Sequence, residues 1–247
     1  MLSVLNQREI SRRQKWQRRS WVAMALACLT LCLFPSQPVR SMGNVDLVLV
    51  LALDVSSSVD AQEFDIQKTG LVQAFRHASV IHAIRRGRHK RIAVIAVQWA
   101  GYEQQQIMVP WTVVGDQSEA SIFSDQLAGM PRAYPDGATH LTGIIRFSTK
   151  LALTAPYLAL RRVVDISGDG VDNVKGSPQR ARDTAIESGI TINGLAIANE
   201  TPDLFDYYRA NVIGGPSAFV LAVRDYKTYP QAILRKLVRE IETRLLF

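Results

Sequence analysis

Residues Asp46 to Leu53 read DLVLVLAL, a run with no turn former and no charge after its first position, and Asp54-Val55-Ser56-Ser57-Ser58 follows at once. So short and continuous an apolar run is read as a strand covered on both faces, because a strand with one wet face alternates instead. Runs of the same kind recur at Arg91–Trp99 (RIAVIAVQW), Arg162–Ile166 (RVVDI), Ile190–Ile197 (ITINGLAI) and Ala218–Val223 (AFVLAV). Gln106–Val114 reads as an edge strand, since Pro110 has no N–H to give a central ladder. Helical stretches separate them. Asp60 with Glu63 three residues on has the form of a helix N-cap pairing, and Phe64, Leu71, Val72 and Phe75 then share one face. Further helices are predicted near Ser118–Met130, over Leu141–Leu153, and from about Lys227 with Ile233, Leu237, Ile241 and Leu245 as a buried stripe. This alternation predicts an α/β domain with a doubly wound, mostly parallel six-stranded sheet and helices on both faces. Ligands of such sheets sit beyond the carboxyl ends of the strands, where strand order reverses.

The chain carries 29 Lys and Arg against 22 Asp and Glu, yet that excess belongs to its beginning. Seven cations and the single acid Glu9 precede Met42, which leaves a net of +1 for the rest. The high isoelectric point is therefore no argument for nucleic-acid binding by the domain. The basic stretch ends at Arg18-Arg19, and Trp21–Phe34 (WVAMALACLTLCLF) follows uncharged. A run of about 14 residues fits the apolar region of a signal peptide and falls short of the roughly 20 that span a bilayer. Residues 1–41 are thus expected to be a signal peptide cut after Ser41, or else an uncleaved anchor through residues 21–34. Either places the domain in the periplasm or otherwise outside the cytoplasm. Cys28 and Cys32 both lie within the apolar run, so a mature domain would have no thiol for a disulfide, a zinc site or a nucleophile.

Asp54, Ser56 and Ser58 form D-x-S-x-S directly after the first buried strand. One carboxylate and two hydroxyls in a tight turn are hard oxygen donors suited to Mg²⁺, Mn²⁺ or Ca²⁺. Alone, they would equally cap the following helix. Thr139 in Gly137-Ala138-Thr139 adds a hydroxyl in a turn, and Asp169 in Ser167-Gly168-Asp169-Gly170 adds a carboxylate past the fourth strand. Nearby residues have plainer readings. Thr142 lies a turn into its helix, Asp165 falls inside a strand as a structural carboxylate, and Asp172 and Asn173 are turn formers or supports. A lone His140 reads as a surface residue. Arg85-Arg86-Gly87-Arg88-His89-Lys90-Arg91 is expected as a solvated loop at the opposite end of the sheet, with a polyanion or lipid-headgroup contact as the other reading.

The three pieces, in this order, resemble the von Willebrand factor A family and its metal-ion-dependent adhesion site, over about Val45 to Phe247. The Trp99-Ala100-Gly101 and Ser-Gly-Asp-Gly variants resemble a bacterial branch known only as a domain of unknown function. The resemblance implies that Ser56 and Ser58 hold a divalent cation, Mg²⁺ foremost, directly. It implies that Thr139 joins them when a ligand is engaged, and that Asp54 and Asp169 act largely through water. A protein partner presenting a carboxylate would take an open position, with no nucleic acid involved and no catalysis. The resemblance also implies coupling to the closing helix; with no Pro or Gly beyond Pro230 that helix could slide as a rigid element, the plainer reading being a fixed core helix. Two other readings stand beside it: a scaffold working through another face with a structural metal, and a metal-dependent phosphohydrolase with Asp54 as nucleophile. Against the latter, position 56 is Ser where D-x-D is required. G-x-S-x-G and G-x-G-x-x-G are also missing where a hydrolase or a dinucleotide site would need them.

Overall fold

The computed structural model describes residues 43–243. The expected leader, its apolar run, Cys28, Cys32, the Ser41 cleavage point and Leu245 of the closing stripe lie outside them. The described residues form one compact unit. Six strands run β1 (Asn44–Asp54), β2 (Ile92–Trp99), β3 (Gln105–Val114), β4 (Leu158–Gly168), β5 (Ile190–Ile197) and β6 (Val220–Val223). The helices are α1 (Ala61–Arg76), α2 (Ala78–Arg85), α3 (Gln117–Ala128), α4 (Leu141–Leu153), α5 (Pro178–Glu187), α6 (Leu204–Asn211) and α7 (Tyr229–Glu242). A 3₁₀ turn, Tyr226–Thr228, leads into α7. Among the described residues no helix is long and apolar enough to cross a membrane.

The sheet order is β3-β2-β1-β4-β5-β6, all parallel except β3. Chain order reverses at β1, whose neighbours β2 and β4 leave in opposite directions, so the crevice of a doubly wound sheet opens at its carboxyl end. Alternation along β1 explains its unbroken apolar run. Leu47, Leu49, Leu51 and Leu53 join Phe64, Leu71, Phe75, Phe123 and Leu237 in one core, while Val48, Val50 and Ala52 join Ile144, Ile145 and Tyr208 in the other. A fully buried aliphatic side chain contributes about 1.5–3 kcal/mol, so a strand covered on both faces anchors the whole domain. Edge strand β3 is antiparallel, at the edge as Pro110 requires. Its register slips where Val94 faces Thr112 and Ala96 faces Val109, which passes Pro110 through a bulge.

Three short helices were not visible in the sequence. α2, α5 and α6 have 8 to 10 residues, too few for a periodic stripe to separate from loop. Strand β6 begins at Val220 rather than Ala218, and α7 at Tyr229 rather than about Lys227. The face of α7 is also not wholly apolar. Lys236 and Glu240 are fully buried on it beside Ile233 and Leu237. Lys236 Nζ lies 2.5 Å from both Asp165 Oδ1 and Glu240 Oε1, and Asn193 Nδ2 donates to Glu240 Oε1 at 3.0 Å. Asp165 is thus the structural carboxylate its place in β4 suggested, tying α7 to the sheet.

Candidate metal centre

Asp54 ends β1 and is completely buried. Its Oδ1 accepts from Ser56 N at 2.8 Å, which curls the chain so that residues 56 and 58 turn their hydroxyls to the same point. Ser56 Oγ and Ser58 Oγ stand 3.2 Å apart. The turn then enters α1 through a capping box, in which Asp60 accepts from Glu63 N and Glu63 accepts from Asp60 N. Other chain segments hold it. Ser57 N donates to Gly137 O at 2.8 Å, Gln67 Nε2 to the Asp54 carbonyl at 3.2 Å, and Arg132 to the carbonyls of Val55 and Ser56 at 3.2 and 2.9 Å.

Thr139 and Asp169 arrive from the two other segments picked out in the sequence. Thr139 Oγ1 is 3.4 Å from Ser56 Oγ, and Ser58 Oγ donates to Asp169 Oδ1 at 2.7 Å. All five predicted residues therefore meet at the carboxyl ends of β1 and β4. Asp172 and Asn173 prove to be supports. Asn173 Oδ1 accepts from Thr139 N at 2.8 Å, and Asp172 accepts from Leu141 N and Thr142 Oγ1, both at 2.9 Å. That places Thr142 against Asp172 rather than in the cluster. His140 corrects the surface reading. It is buried at the start of α4, with exposed Tyr102 stacked on its ring at a centroid distance of 5.8 Å. The reason is that His140 N is drawn to Ala100 O at 3.0 Å, which pulls the ring beneath the β2 loop.

Several supporting residues escaped the sequence reading. Tyr226, just ahead of α7, donates its hydroxyl to Asp169 Oδ2 at 3.0 Å. Arg132 and Gln67 act through backbone carbonyls, and no local spacing announces such contacts. Gly168 is required by crowding. A Cβ there would lie 2.6 Å from Tyr208 Oη and 2.8 Å from Asp54 Oδ2.

The electrostatics of this cluster are one-sided. Burial first, and then the charge of Asp169, push the Asp54 carboxyl up to about 7. Burial likewise raises Asp169, opposed by the hydrogen bonds from Ser58 and Tyr226. Asp54 Oδ2 is buried with no hydrogen-bond partner, and neither carboxylate is ion-paired with any Lys, Arg or His among the described residues. Two buried carboxylates facing three hydroxyls without a counter-charge are suited to a hard cation, which would satisfy the orphaned oxygen and cancel the repulsion. Among the described residues no three His, Cys, Asp or Glu side chains gather into a metal-holding group. The donor set is instead carboxylate and hydroxyl oxygen.

No curated protein matches this sequence. Solved structures match the fold at low identity. The von Willebrand factor type A protein from Catenulispora acidiphila superposes with a TM-score of 0.56 at 16% identity, covering 81% of this chain and 44% of that one. Proximal thread matrix protein 1 from the mussel byssus, in a form with a zinc-occupied MIDAS motif, gives 0.56 at 13% identity over 81% and 48%. The pilus adhesin SpaC from Lactobacillus rhamnosus GG, in its open conformation, gives 0.58 at 13% identity over 80% and 30%. The chain spans less than half the length of each of these proteins. A family model described as a protein of unknown function, DUF1194, matches residues 44–245, so the chain belongs to that family and its domain has the von Willebrand factor A-like fold.

Proposed function

We propose that the protein is an exported, non-catalytic binding module that holds one divalent cation, Mg²⁺ foremost, through Asp54, Ser56, Ser58, Thr139 and Asp169. The cation in turn receives a carboxylate of a protein partner. The observation that carries this reading is the convergence of two buried, uncompensated carboxylates with three hydroxyls, one carboxylate oxygen being left without a partner. The zinc-occupied motif in the mussel protein of the same fold supports it.

Ser56 and Ser58 would bind through Oγ, and Asp54 and Asp169 would lower the cost of holding a doubly charged ion in a buried turn. Mg²⁺ dehydrates reluctantly, so the carboxylates would act on it in part through its own water. Three of the five residues are neutral, which would leave a bound ion electrophilic enough to accept one more anionic oxygen. Thr139 is buried with its Oγ1 3.4 Å from Ser56 Oγ, and would be the donor that joins the ion when that oxygen is engaged.

The reading is tested by affinity capture from an envelope extract with and without EDTA, using wild type and Thr139→Ala. Partner capture that needs the metal and falls sharply in Thr139→Ala is expected, while Ser56 and Ser58 still hold the ion. Capture that survives EDTA would transfer binding to another face and contradict the reading.

A further inference from the structure

The end of the sheet opposite the Asp54–Asp169 cluster carries a second ordered feature. From the last residue of α2 to β2 the chain runs Arg85-Arg86-Gly87-Arg88-His89-Lys90-Arg91. The Asp46 carboxylate, at the start of β1, turns the backbone of this loop inward. It accepts from His89 N at 2.9 and 3.0 Å and from Arg91 N at 3.4 Å. Gly87 lies so close that a Cβ there would fall 2.2 Å from Asp46 Oδ2, and Lys90 takes a left-handed φ of +57°. With the amides facing Asp46, the side chains of Arg85, Arg88, Lys90 and Arg91 stand in solvent. Arg86 reaches Glu242 at 3.5 Å.

Apolar surface adjoins these cations. Leu158 and Leu160, at the start of β4, are 63% and 53% exposed, on a stretch that pairs with β1 but not yet with β5, whose ladder begins at Arg162. Leu160 and Arg88 line one cavity of about 650 Å³, together with Asp46, Arg86, Arg161 and Glu242. Leu158 N donates to Gly43 O at 3.2 Å, so the chain enters the domain at this same face. The opposite end of the sheet exposes Asp60, Glu103, Asp136, Glu200 and Asp203 against Lys175, Arg224 and Lys227. The domain, nearly neutral as a whole, is therefore basic at one pole and acidic at the other.

We propose that the basic pole is a docking surface for anionic phospholipid headgroups, which points the Asp54–Asp169 cluster away from the bilayer. Cations neutralise headgroup phosphates while leucines enter the boundary with the acyl chains, and that combination suits a membrane surface. A soluble polyanion would engage the cations and leave Leu158 and Leu160 without a role. Phe34, the end of the apolar run, precedes Gly43 by nine residues, a reach of about 30 Å when extended. The proposal is independent of any metal.

Residues 41–247 contain the whole sheet and both cores. A chain starting at Ser41 is therefore the material for the test, free of the leader's own cations. Its co-sedimentation is measured with vesicles of phosphatidylcholine alone and mixed with phosphatidylglycerol, at rising salt. We expect binding to the anionic vesicles only, lost at high salt and weakened at least about tenfold by Arg85→Gln/Arg88→Gln/Lys90→Gln. Leu158→Ser/Leu160→Ser should weaken binding while keeping the salt dependence, and Lys175→Gln/Lys227→Gln at the far pole should bind as wild type. Melting curves matching wild type certify that each variant is folded. Equal binding to both vesicle types, an unaffected basic-loop variant, or retention on heparin without preference for anionic vesicles would overturn the proposal.

Discussion

Replacing Asp54 by asparagine should stabilise the metal-free domain at pH 8 while destroying its response to metal. Burial and the neighbouring Asp169 push the Asp54 carboxyl from 3.8 to about 7. Between those values the folded chain keeps a proton that the unfolded chain has released. Stability therefore falls as pH rises through that window and levels off above it. At about 1.36 kcal/mol per pH unit, the loss between pH 5 and pH 8 from this one group is about 2–3 kcal/mol. The amide introduced by Asp54→Asn would keep an acceptor for Ser56 N and carries no charge at any pH, so the loss should vanish. The assay is urea unfolding of metal-stripped wild type and Asp54→Asn at both pH values. The variant should gain about 2–3 kcal/mol on wild type between pH 5 and pH 8. Parallel pH dependence in the two proteins would refute the argument that Asp54 is an uncompensated buried charge. On the proposed function, Asp54 would cost stability until a cation is bound, the trade expected of a binding site.

Lys236→Met should destabilise by about 3–5 kcal/mol, because it leaves Asp165 and Glu240 buried together without their cation; a loss below about 1 kcal/mol in urea unfolding would show that the ion group does not hold α7. Gly168→Ala should cost about 1–3 kcal/mol by crowding Tyr208 Oη and Asp54 Oδ2, with metal affinity falling as well; wild-type stability and affinity would contradict the packing.

The fold was legible where the sequence had two faces to satisfy. Leu47, Leu49, Leu51 and Leu53 interleaved with Val48, Val50 and Ala52 leave β1 no place but the middle of a covered sheet, and Pro110 sends β3 to an edge. Short helices such as α2 and α6 were hidden, since eight residues present too little periodicity to separate from loop. The convergence of Asp54, Ser56, Ser58, Thr139 and Asp169 was legible because each follows a strand end or sits in a turn of recognisable chemistry. Tyr226, Arg132 and Gln67 were not. Their contacts to Asp169, to the Val55 and Ser56 carbonyls and to the Asp54 carbonyl depend on how α1, α7 and the α3–α4 loop pack, and no spacing encodes that. Lys236 shows the same limit from the other side, since a cation on the inner face of α7 makes sense only once Asp165 stands opposite it.

The claim that Asp54, Ser56, Ser58, Thr139 and Asp169 hold a cation is tested most directly by titration calorimetry. Metal-stripped wild type and Ser56→Ala/Ser58→Ala would each be titrated with Mg²⁺ and Mn²⁺, with melting curves recorded in parallel. Wild type should bind one ion per chain and gain about 2.7 kcal/mol of stability at a hundredfold excess over its Kd. The double variant should show neither binding nor gain. Absence of binding in wild type, or equal binding by the two proteins, would contradict the account.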